Sequence, residues 1–322
     1  MSRILVTGAA GFIASHLAEA LLARGDEVIG LDSFDPFYPR SFKERNLEVA
    51  RKLPGYRFVE GDILDTDLVA CLLTADTIVC HLAAKAGVRP SIQDPVGYAR
   101  VNLTGTAAIA EAMRRAGATR LAFGSSSSVY GDATPAPFRE DAPALTPVSP
   151  YAASKRAAEL HLIAVAPLQG LKVAALRYFT VFGPRQRPDL AIHLFARRML
   201  TGEGLSLFGD GTQARDYTFA SDIVAGTLAG IDWTARAPVG VECFNLGGSR
   251  PVSLRELVAE LSRALGIVPR VEWLPKQPGD VELTSADLTK SRATLGFMPR
   301  VEFADGIARF VEWCRAFYAS QH

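Results

Sequence analysis

Tyr151 and Lys155 stand four residues apart directly after Pro150, a spacing that sets a phenol and an ammonium on one face of a helix. A cation beside a phenol favours the phenolate. Lys155 is therefore expected to draw the Tyr151 pKa down from about 10 toward neutrality, making it a general base or acid. Taken alone, the same spacing also fits an exposed helix face. Four consecutive serines, Ser125, Ser126, Ser127 and Ser128, precede Val129-Tyr130-Gly131 after an apolar run. Hydroxyls at the carboxyl end of a buried strand lie where open α/β sheets bind ligands, although a Ser-rich turn reads the same way.

A third cluster is Thr7-Gly8-Ala9-Ala10-Gly11-Phe12-Ile13-Ala14-Ser15, between an apolar strand and an apolar helix. Gly8 and Gly11 let the backbone turn tightly and approach a pyrophosphate at a helix N-terminus, with Phe12 and Ile13 opening that helix. The pattern is G-x-x-G followed by Ala14, short of the full three-glycine fingerprint. Asp32, 24 residues beyond Gly8 at the end of the next strand, is placed to hold ribose hydroxyls. An acid there repels a 2′-phosphate and no Arg follows it, which favours NAD over NADP. Asp62-Ile63 and Leu82-Ala83-Ala84 follow the third and fourth strands, where adenine and ribose would pass. Lys155 is also placed to hold the nicotinamide ribose.

The elements that must position these residues alternate along the first two-thirds of the chain. Strands are expected at Ile4 to Val6, Glu27 to Leu31, Tyr56 to Val59, Thr77 to Leu82 and Arg120 to Phe123. Helices are expected at Ala14 to Arg24, Asn102 to Ala116 and from Tyr151. Continuous apolar strands separated by amphipathic helices predict a parallel sheet covered on both faces, an α/β doubly wound (Rossmann) architecture. From Phe179 the elements shorten and Gly and Pro multiply, predicting a smaller C-terminal α/β substrate lobe. The expected division is 1–178 with 216–247 for the cofactor domain, and 179–215 with 248–322 for the lobe, which includes a helix from Ser253 to Leu265.

The 322 residues carry 35 Lys+Arg against 34 Asp+Glu, a net charge of +1, which argues against nucleic acid or an anionic membrane as the main partner. No apolar run approaches the ~20 residues of a membrane span. Cys71, Cys80, Cys243 and Cys314 lack CxxC spacing and read as reduced core residues. The first strand starts at Arg3 without an apolar leader, so a soluble cytoplasmic protein is expected. His161 and His193 have no partners at metal-ligand spacing, so no metal is expected.

The glycine turn, Asp32, the serine run with Val129-Tyr130-Gly131, and Tyr151 with Lys155 together resemble the extended short-chain dehydrogenase/reductases over nearly the whole chain. Within them the chain is most similar to the nucleotide-sugar 4-epimerases, and among these to enzymes acting on UDP-glucuronate. The supporting stretches are HLAAKAGVRPSIQDP from His81, RYFTVFGPRQRPDLA from Arg177, GDGTQARDYTF from Gly209 and KQPGDV from Lys276.

The resemblance implies bound NAD and a UDP-sugar substrate. Tyr151 would take the proton of the 4-hydroxyl while hydride leaves C4, with Ser126 on the same oxygen and Ser127 and Ser128 beside it. Asn102 and Tyr178 would join the cofactor site. Arg215 resembles the diphosphate ligand of the family, Arg89 could reach sugar or phosphates, and Asp280 would meet the uridine ribose or an arginine. Thr180 and Arg187 would flank the C6 group and favour a carboxylate there. The helices around Val96 to Arg115 and Tyr151 to Ala166 resemble those that pair in family homodimers.

Sister reactions are separable at two positions. Sugar 4,6-dehydratases of the family place an Asp-Glu pair just after the active hydroxyl, where Ser127 and Ser128 stand here. UDP-glucuronate decarboxylases usually carry a Glu at Ser128. A neutral-hexose or N-acetylhexosamine 4-epimerase remains the alternative, and a non-catalytic NAD-binding regulator a more distant one. Departures from the resembling enzymes include Ala14 for Gly, Phe182 for Tyr and the form of the RQRPDLAIH segment.

Overall fold

The computed structural model describes residues 1–248, 250–275 and 281–319. Its strands in chain order are β1 (Arg3–Thr7), β2 (Glu27–Asp32), β3 (Tyr56–Glu60), β4 (Ile78–His81), β5 (Arg120–Ser126), β6 (Lys172–Tyr178), β7 (Thr180–Phe182), β8 (Leu205–Phe208), β9 (Ala214–Phe219), β10 (Gly240–Leu246), β11 (Pro251–Ser253) and β12 (Val271–Leu274). Seven of them form a parallel sheet in the order β10-β6-β5-β4-β1-β2-β3.

Alternation along β1 shows why the sheet is covered twice. Ile4 and Val6 pack into a cluster with the helices Phe12–Ala23 and Ala220–Trp233. Leu5 faces the opposite cluster, with Ile109 and Met113 of Gly105–Ala116 and Leu162 of Pro150–Gln169. All three β1 residues are fully buried, as a strand between two helical layers requires. The strand order reverses between β1 and β4, so the carboxyl ends of these two strands open a crevice, the position where doubly wound sheets take ligands.

After β6 the chain leaves the sheet, returns through Ala220–Trp233 and β10, and leaves again. The lobe holds a three-stranded sheet, β11-β9-β7, and the pair β12-β8. Its own core is built by Phe195 and Met199 of Ala191–Leu200, Leu257 and Leu261 of Leu254–Leu265, and Ile307 and Phe310 of Phe303–Ala319. Strand β9 spans the expected boundary at 215 and 216 and pairs within the lobe. Among the described residues no helix is long and apolar enough to cross a membrane. The four cysteines are free, but Cys71 is exposed, contrary to the expectation of a core residue: it lies on the outward face of the short helix Thr66–Leu72.

Candidate active site

The helix Pro150–Gln169 begins where Ser149 Oγ accepts the Ala152 N–H at 3.1 Å, with Pro150 in the first turn. That start sets Tyr151 and Lys155 on the face toward the end of β5. The Ser126 hydroxyl hydrogen-bonds the Tyr151 phenol. Ser126 Oγ also accepts the Ser128 N–H at 3.1 Å, which fixes its rotamer. Lys155 Nζ, almost fully buried, donates to Gly124 O at 2.7 Å and lies 5.0 Å over the Phe123 ring.

The electrostatics depart from the expectation drawn from spacing. Burial pushes the Tyr151 pKa up, against the Ser126 hydrogen bond and the Arg187 charge, which both pull it down. Burial also pushes Lys155 down to about 8, and the Glu159 carboxylate partly restores it. The Lys155 ammonium is turned to a β5 carbonyl, and Ser126 and Arg187 pull the phenol down.

One cleft of about 550 Å³ gathers most of the residues singled out in the sequence. On the cofactor side its lining includes Gly8, Gly11, Phe12, Ile13, Asp32, Asp62, Ile63, Leu82, Ala83, Ala84, Lys155 and Tyr178. At the chemical end it includes Ser126, Ser127, Ser128, Tyr151, Thr180, Arg187 and Arg215. The fit to a dinucleotide is physical. Gly8 has φ +71°, and a Cβ there would meet the Ala83 backbone at 2.9 Å; a Cβ on Gly11 would meet Gly8 O at 2.9 Å. The helix Phe12–Ala23 has no side-chain cap at Gly11, which leaves its first-turn N–H groups for an anion. Asp32 accepts the N–H groups of Ala10 (3.1 Å) and Phe34 (2.8 Å), which aim the carboxylate. Burial raises its pKa and the nearby Lys43 opposes that.

Two expected site residues lie elsewhere, and a third is not among the described residues. Asn102 does not line the cleft: its Nδ2 donates to Lys85 O and Ser154 Oγ, both at 2.9 Å, and its Oδ1 accepts the Lys85 N–H at 2.8 Å. Both its donors are used inside the protein, so it braces the post-β4 loop against the catalytic helix. A single π turn, Arg100–Thr104, brings it there. Arg89 is outside the cleft lining, stacked 5.0 Å over Phe208. Asp280 lies outside the described residues.

Other residues escaped the reading of the sequence. Phe37, Tyr38 and Lys43 line the cleft from the segment after Asp32. Arg187 sits 5.3 Å over the Phe37 ring, and Lys43 Nζ donates to Asp35 O at 2.8 Å. Aromatic residues in an extended connection were the available signal. Glu159 was legible as the third member of an i, i+4, i+8 series with Tyr151 and Lys155. Fully buried, it accepts from Ser125 Oγ, from Arg156 and twice from Arg177. His81 is a structural residue, its ring between Thr7 Oγ1 (2.8 Å) and Thr106 Oγ1 (3.1 Å), and burial drives its pKa to about 3.

Comparison with known proteins agrees with this geometry. A family model described as "NAD dependent epimerase/dehydratase family" matches residues 4–247. The UDP-glucuronate 4-epimerase of Thermodesulfobacterium geofontis is 38% identical over 98% of this chain and 97% of its own. The crystal structure of UDP-glucuronic acid 4-epimerase from Bacillus cereus, in complex with UDP-glucuronic acid and NAD, superposes with a TM-score of 0.92 at 36% identity, covering 98% of this chain and 100% of that one. DesIV, a dTDP-glucose 4,6-dehydratase from Streptomyces venezuelae, superposes with a TM-score of 0.90 at 35% identity, covering 99% and 98% of the two chains.

Proposed function

The chain belongs to the NAD dependent epimerase/dehydratase family, and on that premise we propose that it is an NAD-dependent 4-epimerase interconverting UDP-glucuronate and UDP-galacturonate through a transient 4-keto sugar. The observation that carries this reading is the position of Arg187. The lobe brings this cation into the cleft with Thr180, close enough to Tyr151 for its charge to act on the phenol. A carboxylate at C6 is the substrate group that such a cation pairs with.

Gly8, Gly11 and the first turn of Phe12–Ala23 would hold the cofactor diphosphate, Asp32 the adenosine ribose, Asp62 and Ile63 the adenine side, and Lys155 the nicotinamide ribose. Bound NAD supplies the hydride acceptor for C4 and then the donor. Tyr151 removes the proton from the 4-hydroxyl and returns one in the second half-reaction. Ser126, anchored by the Ser128 N–H, hydrogen-bonds the same oxygen and favours the phenolate that burial opposes. Arg215 would take a diphosphate oxygen. The sugar turns in the cleft between the two half-reactions.

An epimerase and a dehydratase superpose on this chain about equally well, so overall similarity does not separate the reactions. The local chemistry does: Ser127 and Ser128 line the cleft beyond Ser126 and offer no carboxylate to eliminate water. Incubation with UDP-glucuronate, UDP-glucose and UDP-N-acetylglucosamine, followed by NMR of the products, tests the reading. UDP-galacturonate is the expected product. Turnover of neutral sugars alone would overturn the uronate assignment, and a 4-keto-6-deoxy product would overturn epimerisation.

The same reading includes a cytoplasmic homodimer. The helix Pro150–Gln169 exposes Ala153, Leu160, Ile163 and Ala164 along one side, and Ile92 and Val96 are exposed on the short helices Val88–Gln93 and Pro95–Ala99 that pack against it. Such an apolar strip is what a second copy would cover. Sedimentation at micromolar concentration is expected to give twice the chain mass, and a monomer would contradict it.

A further inference from the structure

Arg187 reaches the cleft on a short loop between β7 and the helix Ala191–Leu200, and two histidines grip the backbone of that loop. His16 Nε2, from Phe12–Ala23, lies 2.9 Å from Pro184 O. His193 Nδ1, from Ala191–Leu200, lies 2.5 Å from Gln186 O. A carbonyl only accepts, so each of these ring nitrogens carries its proton. Arg185, between the two carbonyls, has φ +66°, a conformation that non-glycine residues adopt only when their surroundings impose it. Its guanidinium pairs with Glu19 at 2.7 Å, and Gln186 Nε2 donates to Val181 O at 3.1 Å.

The His193 ring has one orientation available. Its Nε2 is 2.9 Å from Tyr318 Oη on the C-terminal helix Phe303–Ala319. Its faces and edges meet Phe310, Trp313 and Phe317 of that helix, and Phe42 from the cofactor side. Burial keeps the ring neutral, so Nδ1 donates to Gln186 and Nε2 accepts from the Tyr318 hydroxyl. A flipped ring would set C–H against the Gln186 carbonyl. The consequence for Arg187 is direct, because the Gln186 carbonyl and the Arg187 N–H belong to one rigid peptide plane. Holding that oxygen fixes the plane from which the Arg187 side chain departs. Its guanidinium is then steered by Asp189 (3.0 and 2.8 Å) and Ala86 O (3.4 Å).

We propose that His193 is a positioning residue for substrate selection: through the Gln186 carbonyl it sets the Arg187 guanidinium in the cleft, and so fixes the preference for a nucleotide sugar carrying a C6 carboxylate. This rests on the proposed role of Arg187 as the partner of that carboxylate. The aromatic packing makes the C-terminal helix part of the same support, although no residue of that helix lines the cleft.

The test is calorimetric binding of UDP-glucuronate and of UDP-glucose to the NAD-loaded enzyme. Wild type is compared with His193→Phe, which fills the aromatic site without a donor, and His193→Asn, whose amide N–H stands where Nδ1 stood. His193→Phe is expected to weaken UDP-glucuronate about tenfold, the cost of losing one oriented hydrogen bond. UDP-glucose should stay within about twofold, and His193→Asn should recover most of the loss. Retained preference in His193→Phe, equal weakening of both sugars, or a His193→Asn as defective as His193→Phe would each overturn the proposal. Absence of any preference in wild type would instead overturn the uronate reading, and this one with it. Should His193→Phe fold poorly, Tyr318→Phe frees the ring while keeping the packing. It is expected to weaken UDP-glucuronate two- to threefold and leave UDP-glucose unchanged, and no selective loss would count against the proposal.

Discussion

Ser125 Oγ donates to Glu159 Oε1 at 2.6 Å, tying the residue before Ser126 to the residue one turn beyond Lys155. Glu159 also receives Arg177 Nε and Nη2, each at 2.9 Å, and Arg156 Nη1 at 2.9 Å. A fully buried carboxylate with four such donors joins the catalytic helix to β5 and β6 behind the cleft. Glu159→Gln leaves Arg177 buried without its counter-charge. The expected loss is about 3–5 kcal/mol, the cost of breaking a buried pair from one side. Urea unfolding at pH 7.5 measures it, and a change below about 1 kcal/mol would show that Glu159 does not bear this load.

Tyr151→Phe keeps the ring and removes the phenol that Ser126 addresses. Turnover is expected to fall by about 10²–10⁴-fold, the range for loss of general acid–base catalysis, with bound NAD unchanged. An epimerase assay with absorbance of the released cofactor checks both. An unaltered rate would remove Tyr151 from the chemistry.

Gly8→Ala forces a side chain into a φ of +71° and against the Ala83 backbone. The crevice between β1 and β4 has to widen there, and the pyrophosphate cradle with it. We expect purified Gly8→Ala to carry less NAD than wild type and to unfold at lower temperature. Equal cofactor content would show that the turn yields without affecting binding.

His16, His81 and His193 are each shifted below the usual imidazole pKa by burial, His81 to about 3. In the unfolded chain they protonate near 6.5, so below that pH the unfolded state binds more protons than the folded state. Stability is therefore full above about 6.5 and falls as pH drops toward the folded values, by about 1.4 kcal/mol per pH unit for each fully neutral ring. Denaturant midpoints at pH 7.5, 5.5 and 4.5 should fall in wild type and fall less steeply in His81→Asn. Parallel slopes would exclude His81 as a source.

Features set by neighbours in the chain could be read without coordinates. The glycine turn, Asp32, and Tyr151 with Lys155 depend on spacings of a few residues or on the ends of apolar runs. The parallel sheet follows from uninterrupted burial of strands such as Ile4-Leu5-Val6, which shows as unbroken hydrophobicity. Periodicity also placed a helix from Ser253 to Leu265; in the structure it runs over Leu254–Leu265 with Ser253 as its cap.

Tertiary structure decided what depends on partners far apart in the chain. Spacing placed Lys155 on one face with Tyr151, but only the fold turned its ammonium to Gly124 O and brought Ser126 and Arg187 to the phenol. Asn102 was expected at the cofactor site. The π turn and the Lys85 backbone made it a brace, since an amide with both donors engaged has none left for a ligand. Whether Arg187 belonged to the cleft or to the surface could not be read from RQRPDLAIH. That depends on how its loop is held, and the two histidines that bond the loop's backbone carbonyls, His16 and His193, are 177 residues apart in sequence. Hydrophobic pattern reports how a segment buries itself, whereas the direction of a charged side chain is set by hydrogen bonds that exist only once distant segments have met.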